Sequence, residues 1–440
     1  MFYINLENAR PGNDYFDGIL AHEFQHMIHW ALDRNEDTWV NEGLSELASE
    51  INGYDVGGTD ELFLAQPDVQ LTTWPELEYS GPHYGASYLF LTYFHDLYGE
   101  DAVRRLVADP ANGTAGFEAV LSGLDPSRRF DDLFADWIVA NYLDDSNLDG
   151  GRFGYANLEP EPASYTGHHA TYPVDETATV SQYGADYILL EYSRPLTIQF
   201  TGSRLVSLIG NKPHSGQYQW WSLRGDEGDS TLTRAFDLQD LEQATLEAWM
   251  WYDLEADYDY AYVEASKDGG QTWDILSNDN TTEANPSGNS YGPALTGKSG
   301  GGDRSVWTHE TFDLTPYAGQ PVLVRFEVVT DEAVNHPGMS LDDISIPELG
   351  YHTDVEMGAD GWETEGWTRV TADVPQRFLV QLITLGDQTR VERLELDNQM
   401  QGTYRLDGPV QGTDRAVLIV SALAPATTEP AIYHYQISSE

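Results

Sequence analysis

The stretch from His22 to Glu46 constrains the fold of this chain more tightly than any other. His22-Glu23-Phe24-Gln25-His26 is a HExxH pentapeptide. On a helix, residues four apart share a face, so both imidazoles stand one turn apart with the Glu23 carboxylate beside them. Two neutral imidazoles supply half of a tetrahedral zinc shell, and a catalytic zinc needs a third protein ligand and one open position. Trp39-Val40-Asn41-Glu42-Gly43-Leu44-Ser45-Glu46 offers that ligand. Read as a second helix facing the first, it points Glu42 at the metal and sets Glu46 one turn further along the same face. There Glu46 accepts the remaining ring proton of a histidine ligand and fixes its tautomer. His29 shares the face of His22 and His26, but the site already has its ligands, so it is expected to be a polar group satisfied inside the lobe.

The metzincin pattern HExxHxxGxxH is excluded, because His29 stands where the glycine belongs and Leu32 where the third histidine belongs. The pair HEFQHMIH and NEGLSE instead resembles the thermolysin clan, the gluzincins, and most nearly its hyicolysin-type neutral peptidases; WVNEGLSE is also similar to the WLNEG segment of the clan's aminopeptidases. The resemblance implies that His22, His26 and Glu42 hold zinc and that Glu46 supports a histidine from behind. It further implies that Glu23 is the general base for a zinc-activated water in peptide hydrolysis.

Charge narrows the partners. The formal net charge is -51, and lysine occurs only at Lys212, Lys267 and Lys298. So acidic a surface argues against nucleic acid and anionic membranes as partners, and the peptidase resemblance implies a protein or peptide substrate. There is no cysteine, which rules out disulfides and thiolate metal sites within the chain. No apolar run is long enough to span a bilayer, and the opening MFYINLENARPG has neither a basic start nor a signal core. Phe2 to Leu6 alternates like a strand, and the resemblance makes it the candidate sheet edge along which substrate lies. One strand cannot form a sheet. The expectation is an extracellular protein whose catalytic lobe is truncated at its N-terminus, with further strands and an export signal upstream.

The catalytic lobe is expected over residues 1–165 and to be mainly helical and zincin-like. Asp17 to Leu32 and Val40 to Ile51 read as the ligand helices, followed by a loop from Gly57 to Pro82. Helices then run from His83 to Gly99, Glu100 to Val107, Gly116 to Leu124 and Phe130 to Tyr142. The start of the first, HYGAS, resembles the segment from which the thermolysin family supplies an oxyanion-stabilising histidine and the aminopeptidases a tyrosine. His83 or Tyr84 is therefore the expected oxyanion donor, with Tyr79 next.

From about Gly167 the pattern changes to short alternating runs divided by turn residues, the grammar of a β-sandwich. Clear strands include Tyr187 to Tyr192, Ala244 to Tyr252, Tyr260 to Ala265, Val322 to Val329 and Ser340 to Ile346. Ser266 to Trp273 fits the aspartate-box pattern SxDxGxxW and, occurring once, is read as a hairpin device. Asp257, Asp342 and Asp343 gather hard oxygen ligands at strand ends, which suits calcium. The segments WWSLRGDEGDSTLTRAFDL, WYDLEADYDYAYVEASKDGGQTW and VRFEVVTDEAVNHPGMSLDDISIPE resemble the C-terminal jelly-roll region of immune inhibitor A-type metallopeptidases. That family carries HExxHxxGxxD, so its likeness covers the β region and not the Glu-ligand site.

The expected architecture is thus multidomain: a helical catalytic lobe, an all-β jelly-roll domain over 166–365 and a small β domain over 366–440. The expected activity is that of a secreted zinc endopeptidase with calcium as a possible second cofactor. The alternative is a calcium-dependent extracellular binding or adhesion protein carrying an inactive peptidase remnant.

Overall fold

The computed structural model describes residues 9–332, 334–386, 389–408 and 414–439. The expected strand Phe2 to Leu6 lies outside the described residues. Seven α-helices come first among them: α1 Asp14–Leu32, α2 Thr38–Ile51, α3 Thr59–Ala65, α4 Gly81–Tyr98, α5 Glu100–Val107, α6 Gly113–Leu124 and α7 Phe130–Leu143. Asn13 starts α1 by accepting the Phe16 N–H at 2.8 Å, which satisfies one of the unpaired amides of the first turn. The α4 helix has Pro82 in its first turn and is apolar all round, with Gly85 through Phe94 buried, as a central helix must be. The stretch read as a loop contains α3, whose seven residues are too few to show a helical period but seat Phe63 and Leu64 in the core. Trp39 of α2 stacks on Phe117 at 5.6 Å, and Phe63 stacks on Trp137 at 5.4 Å.

Gly43 lets α2 approach α4. A Cβ there would lie 2.8 Å from the Ser87 carbonyl oxygen and 3.0 Å from Leu91 Cδ2, so the absence of a side chain sets the depth at which α2 is seated.

The chain divides into two compact units: Met1–Ser207 with Val374–Glu440, and Leu208–Asp373. This differs from the expected partition into 1–165, 166–365 and 366–440. In the first unit, strands Gly167–His169, Asp186–Glu191, Arg415–Ala422, Phe378–Leu385 and Arg390–Arg393 form one sheet in that order. A second sheet is built from Val174–Val180, Ala431–Ser439, Leu196–Gly202 and Gln401–Leu406. The C-terminal strands are therefore not a separate domain. They pair with strands that immediately follow the helices, and one apolar cluster joins Trp39, Phe90 and Trp137 to Tyr187, Ile383 and Val417. Tyr187 donates to the Ile138 carbonyl at 2.5 Å and Gln381 to that of Ala135 at 2.9 Å, fixing the first sheet on α7.

The second unit is a two-sheet sandwich. One sheet runs Asp274–Ile275, Tyr260–Ser266, Pro321–Val329, Asp229–Asp237 and Glu363–Glu365; the other runs Thr308–Asp313, Thr245–Asp253, Gly338–Ile346, Gln219–Trp221 and Thr368–Val370. Leu232, Val263 and Phe326 meet Leu246, Met250 and Leu341 in its core. The aspartate box makes the expected hairpin: Asp268 Oδ1 accepts the Gln271 and Thr272 amides at 3.0 and 2.9 Å, and Arg325 stacks on Trp273 at 3.8 Å. Among the described residues, no helix is long and apolar enough to cross a membrane.

A half-buried acid, Asp68, ties the loop after α3 to the sandwich of the first unit, and the buried Asp186 bonds within that sandwich. Asp68 Oδ1 accepts the Ser181 N–H at 2.7 Å, and Asp186 Oδ2 accepts the Tyr433 hydroxyl at 2.6 Å. Burial, reinforced by the charge of Asp186, pushes the Asp68 pKa up to about 7. The folded state thus holds a proton that the unfolded chain has already lost above about pH 4. Stability from this group is complete below that pH and falls as pH rises through about 7. Asp68→Asn should equal the parent near pH 4 and exceed it at pH 8 by about 2–4 kcal/mol in urea unfolding. A variant less stable at pH 8 would contradict the assignment. For Gly43→Ala, overpacking of about 1–3 kcal/mol opposes about 1 kcal/mol of helix propensity. The clash is with backbone, so a net loss of about 1–2 kcal/mol is expected in the same assay.

Candidate metal centre

Helices α1 and α2 run antiparallel, as their polar contacts show. Ser49 Oγ donates to the Gly18 carbonyl at 3.2 Å and Ser45 Oγ to Gln25 Oε1 at 2.6 Å, while Asn41 meets the far end of α1. The packing brings His22, His26 and Glu42 together, one ligand atom from each lying within 4.8 Å of the others. The two Nε2 atoms are 3.0 Å apart, and Glu42 Oε2 is 3.2 Å from that of His22 and 3.5 Å from that of His26. A tetrahedral zinc with bonds of about 2.0 Å spaces its ligand atoms about 3.3 Å apart, so the triangle has the dimensions of a zinc face.

The outer ring nitrogens explain why these atoms face each other. His22 Nδ1 is 3.4 Å from Glu46 Oε1, and His26 Nδ1 is 3.0 Å from Asn41 Oδ1. Both are placed to donate to oxygen, which leaves the two Nε2 lone pairs turned inward. Glu42 Oε2 is buried and, although close to both rings, makes no hydrogen bond of proper direction. Three acceptors packed at 3.0–3.5 Å need a cation or a proton between them. Burial acts to lower the His22 pKa, but the Glu42 and Glu46 carboxylates outweigh it and hold the ring up at about 10. Burial acts to raise Glu42, but the two imidazoles outweigh it and hold the carboxyl down at about 2. The residues present fit a zinc ion by donor type, by spacing and by this unmet demand for positive charge.

Glu23 is half-buried on α1, and its charge reaches Tyr84. Of the two expected oxyanion donors, the structure brings Tyr84 to the site and takes His83 away. The Tyr84 ring centroid is 6.5 Å from that of His22 and is braced edge-on by Trp74 at 4.8 Å. Burial and the fields of Glu42, Glu46 and Glu23 raise the Tyr84 pKa, keeping the hydroxyl protonated. His83 Nδ1 donates to the Thr73 carbonyl at 3.1 Å, on the loop before α4, and burial pushes its pKa down to about 4. Adjacent helical residues point about 100° apart, and at this pair that step separates the two side chains. Tyr79 is exposed in a short 3₁₀ turn.

His29 is buried as expected, but only half satisfied: Nδ1 lies 3.2 Å from Asn41 Oδ1, and Nε2 has no partner among the described residues. Asn41 itself was not singled out in the sequence. Its place one turn before Ser45 and directly before Glu42 puts it on the site face, which is the signal that could have found it.

The acids expected to hold calcium do not converge. Asp342 accepts the Ser215 and Asp343 amides at 2.9 and 2.8 Å, and Asp343 faces His214 at 2.6 Å and His352 at 3.4 Å. Both sit where the register between Gly338–Ile346 and Thr245–Asp253 shifts, and their oxygens are already engaged there. Asp257 lies in a turn at φ 70° and joins neither. Among the described residues of this unit, Glu255, Asp259 and Asp331 each place a ligand atom within 4.8 Å of the others. Asp259 is pushed up to about 7 by burial and accepts the Asp331 amide at 3.0 Å.

Residues 191–372 match the family described as Immune inhibitor A-like, MAM domain, a stretch that contains most of the second unit. The chain is 30% identical over 179 residues to the pre-pro-metalloprotease PrtV of Vibrio cholerae, an alignment covering 40% of this chain and 18% of the relative. It is 31% identical over 136 residues to Immune inhibitor A of Bacillus thuringiensis subsp. alesti, covering 31% and 18% of the two chains. Bacillopeptidase F of Bacillus subtilis is 29% identical over 98 residues, covering 22% of this chain and 5% of that one. The alignments thus span less than a fifth of the length of each of these relatives. What these likenesses support is that residues 191–372 are similar to the MAM domain of the Immune inhibitor A-like family and that part of the chain is similar to proteins named as bacterial metalloprotease and peptidase.

Proposed function

We propose that this chain carries the active centre of a zinc-dependent endopeptidase that acts on proteins outside the cell. The observation that carries the reading is the inward triangle of His22 Nε2, His26 Nε2 and Glu42 Oε2, each ring held from behind by an oxygen. Peptidase relatives that share the β region support it. His22, His26 and Glu42 hold the ion. Zinc supplies a Lewis acid and a bound water acidified to near neutrality. Glu23, beside the ligands on α1, accepts a proton from the attacking water at its carboxylate and returns it to the departing amine nitrogen. Glu46 and Asn41 keep the imidazoles in the tautomer and orientation that leave Nε2 free for the ion. Tyr84, protonated and braced by Trp74, directs its O–H at the oxyanion that develops on the scissile carbonyl.

Ligand and base are separable roles. Glu42→Gln should lower tightly bound zinc by one equivalent per chain, measured by elemental analysis after desalting, whereas Glu23→Gln should keep the metal and lose casein hydrolysis. Unchanged zinc in Glu42→Gln would end the ligand assignment. Asn41→Ala and Glu46→Gln should each weaken metal affinity by about 10 to 100-fold, read by competition with a chromogenic chelator. The oxyanion role predicts a split between neighbours. Tyr84→Phe should cut kcat by about 100-fold with KM little changed, while His83→Phe should leave kcat near the parent value. The reverse pattern would move the donor to His83.

A further inference from the structure

Just beyond the zinc ligands, the end of α1 and the turn into α2 gather a second set of donor atoms. His29 Nε2, Asp33 Oδ2 and Glu36 Oε2 are each buried without a hydrogen-bond partner among the described residues. His29, Asp33 and Glu36 each place a ligand atom within 4.8 Å of the others. The side chains that carry these atoms are sequestered, His29 being 1% and Asp33 9% exposed.

The other polar atom of Glu36 and of His29 is engaged, and the Asp33 backbone is fixed at the helix end. Glu36 Oε1 accepts the Gly113 and Asp37 amides at 2.6 and 2.7 Å, which turns Oε2 toward the cluster. Asp33 caps α1, its amide donating to the His29 carbonyl at 2.8 Å. His29 Nδ1 lies 3.2 Å from the Asn41 Oδ1 that also faces His26 Nδ1 at 3.0 Å. An amide oxygen accepts from both rings, so both histidines present an Nε2 lone pair, one to each cluster. The cationic side chain within the turn, Arg34, stacks on Trp30 at 4.4 Å instead of entering. A buried imidazole lone pair beside two carboxylate oxygens is unfavourable unless positive charge is shared among them.

We infer that His29, Asp33 and Glu36 form a second divalent-metal site, separate from His22, His26 and Glu42. One imidazole with two carboxylates suits a borderline ion of the Zn²⁺ or Mn²⁺ class, whereas Ca²⁺ takes an all-oxygen shell. The ion closes the connection between α1 and α2, and its imidazole ligand shares Asn41 with the first site. The competing occupant is a proton, since burial raises the Glu36 carboxyl to about 7.

Metal counting with localisation tests this on the full 440-residue chain. Protein stripped with chelator, reloaded with Zn²⁺ or Mn²⁺ at pH 7.5 and desalted, should retain two ions per chain in at least one metal. Crystals of that protein should give anomalous density at His29 Nε2 as well as between His22 and His26. Glu36→Gln and Asp33→Asn should each lose the ion at His29 and keep the other, and Glu42→Gln should show the converse. Failure of the zinc-peptidase reading would empty the first position and leave density at His29. One retained ion in the unmodified chain, with no density at His29 in either metal, overturns the second site whatever the variants do.

Discussion

The antiparallel contact between α1 and α2 is the interaction on which the rest of the site depends. It is a polar interface: His22 meets Glu46, His26 and His29 meet Asn41, Ser45 meets Gln25, and Ser49 meets the Gly18 carbonyl. Such groups are tolerated inside a lobe when they are paired, and pairing demands a fixed register. Register is fixed from the other side of α2. Trp39, Val40, Leu44 and Leu47 are buried in the aromatic core, and Gly43 lies against the α4 backbone. The helix therefore has an apolar side that sets its position and a polar side that uses it.

Much of that was legible in the sequence because helical periodicity is a strong local signal. The four-residue spacing of His22 to His26 and of Glu42 to Glu46 carried over directly into a common face. What periodicity could not decide was rotation by one residue, which separates Tyr84, at the site, from His83, bonded to Thr73. It also could not decide which of many acids approach each other. Asp342 and Asp343 are neighbours in sequence, but one meets backbone amides and the other imidazoles.

Domain organisation was less legible, for a related reason. Arg415–Ala422 pairs with Asp186–Glu191, and Phe378–Leu385 pairs with Arg415–Ala422, across a separation that no local pattern encodes. A hint lay in composition. FLVQLITL and RAVLIVSA are nearly unbroken apolar runs, buried almost throughout, as expected of strands covered on both faces. A small free-standing sandwich would have left one face of them alternating and polar. The sheet they form has α7 on one side and a second sheet on the other, so the helices and the C-terminal strands stabilise one another.

The same reasoning shows how α1 differs from an ordinary amphipathic helix. Of its nineteen residues only Gly18 and His29 are buried, while Phe24, Met27, Ile28, Trp30 and Leu32 are exposed. The face turned to α2 is occupied by histidines and their partners, so apolar burial contributes little to docking this helix. What holds it is directional: hydrogen bonds to α2 and, across both donor clusters, the positive charge that their facing acceptors require. Ions bound to the folded form and not to the unfolded chain add stability in proportion to the logarithm of their occupancy. On the proposed reading, the residues that would hold metal are also the structural fastening of α1, and the HExxH helix would be positioned most firmly with both proposed sites filled.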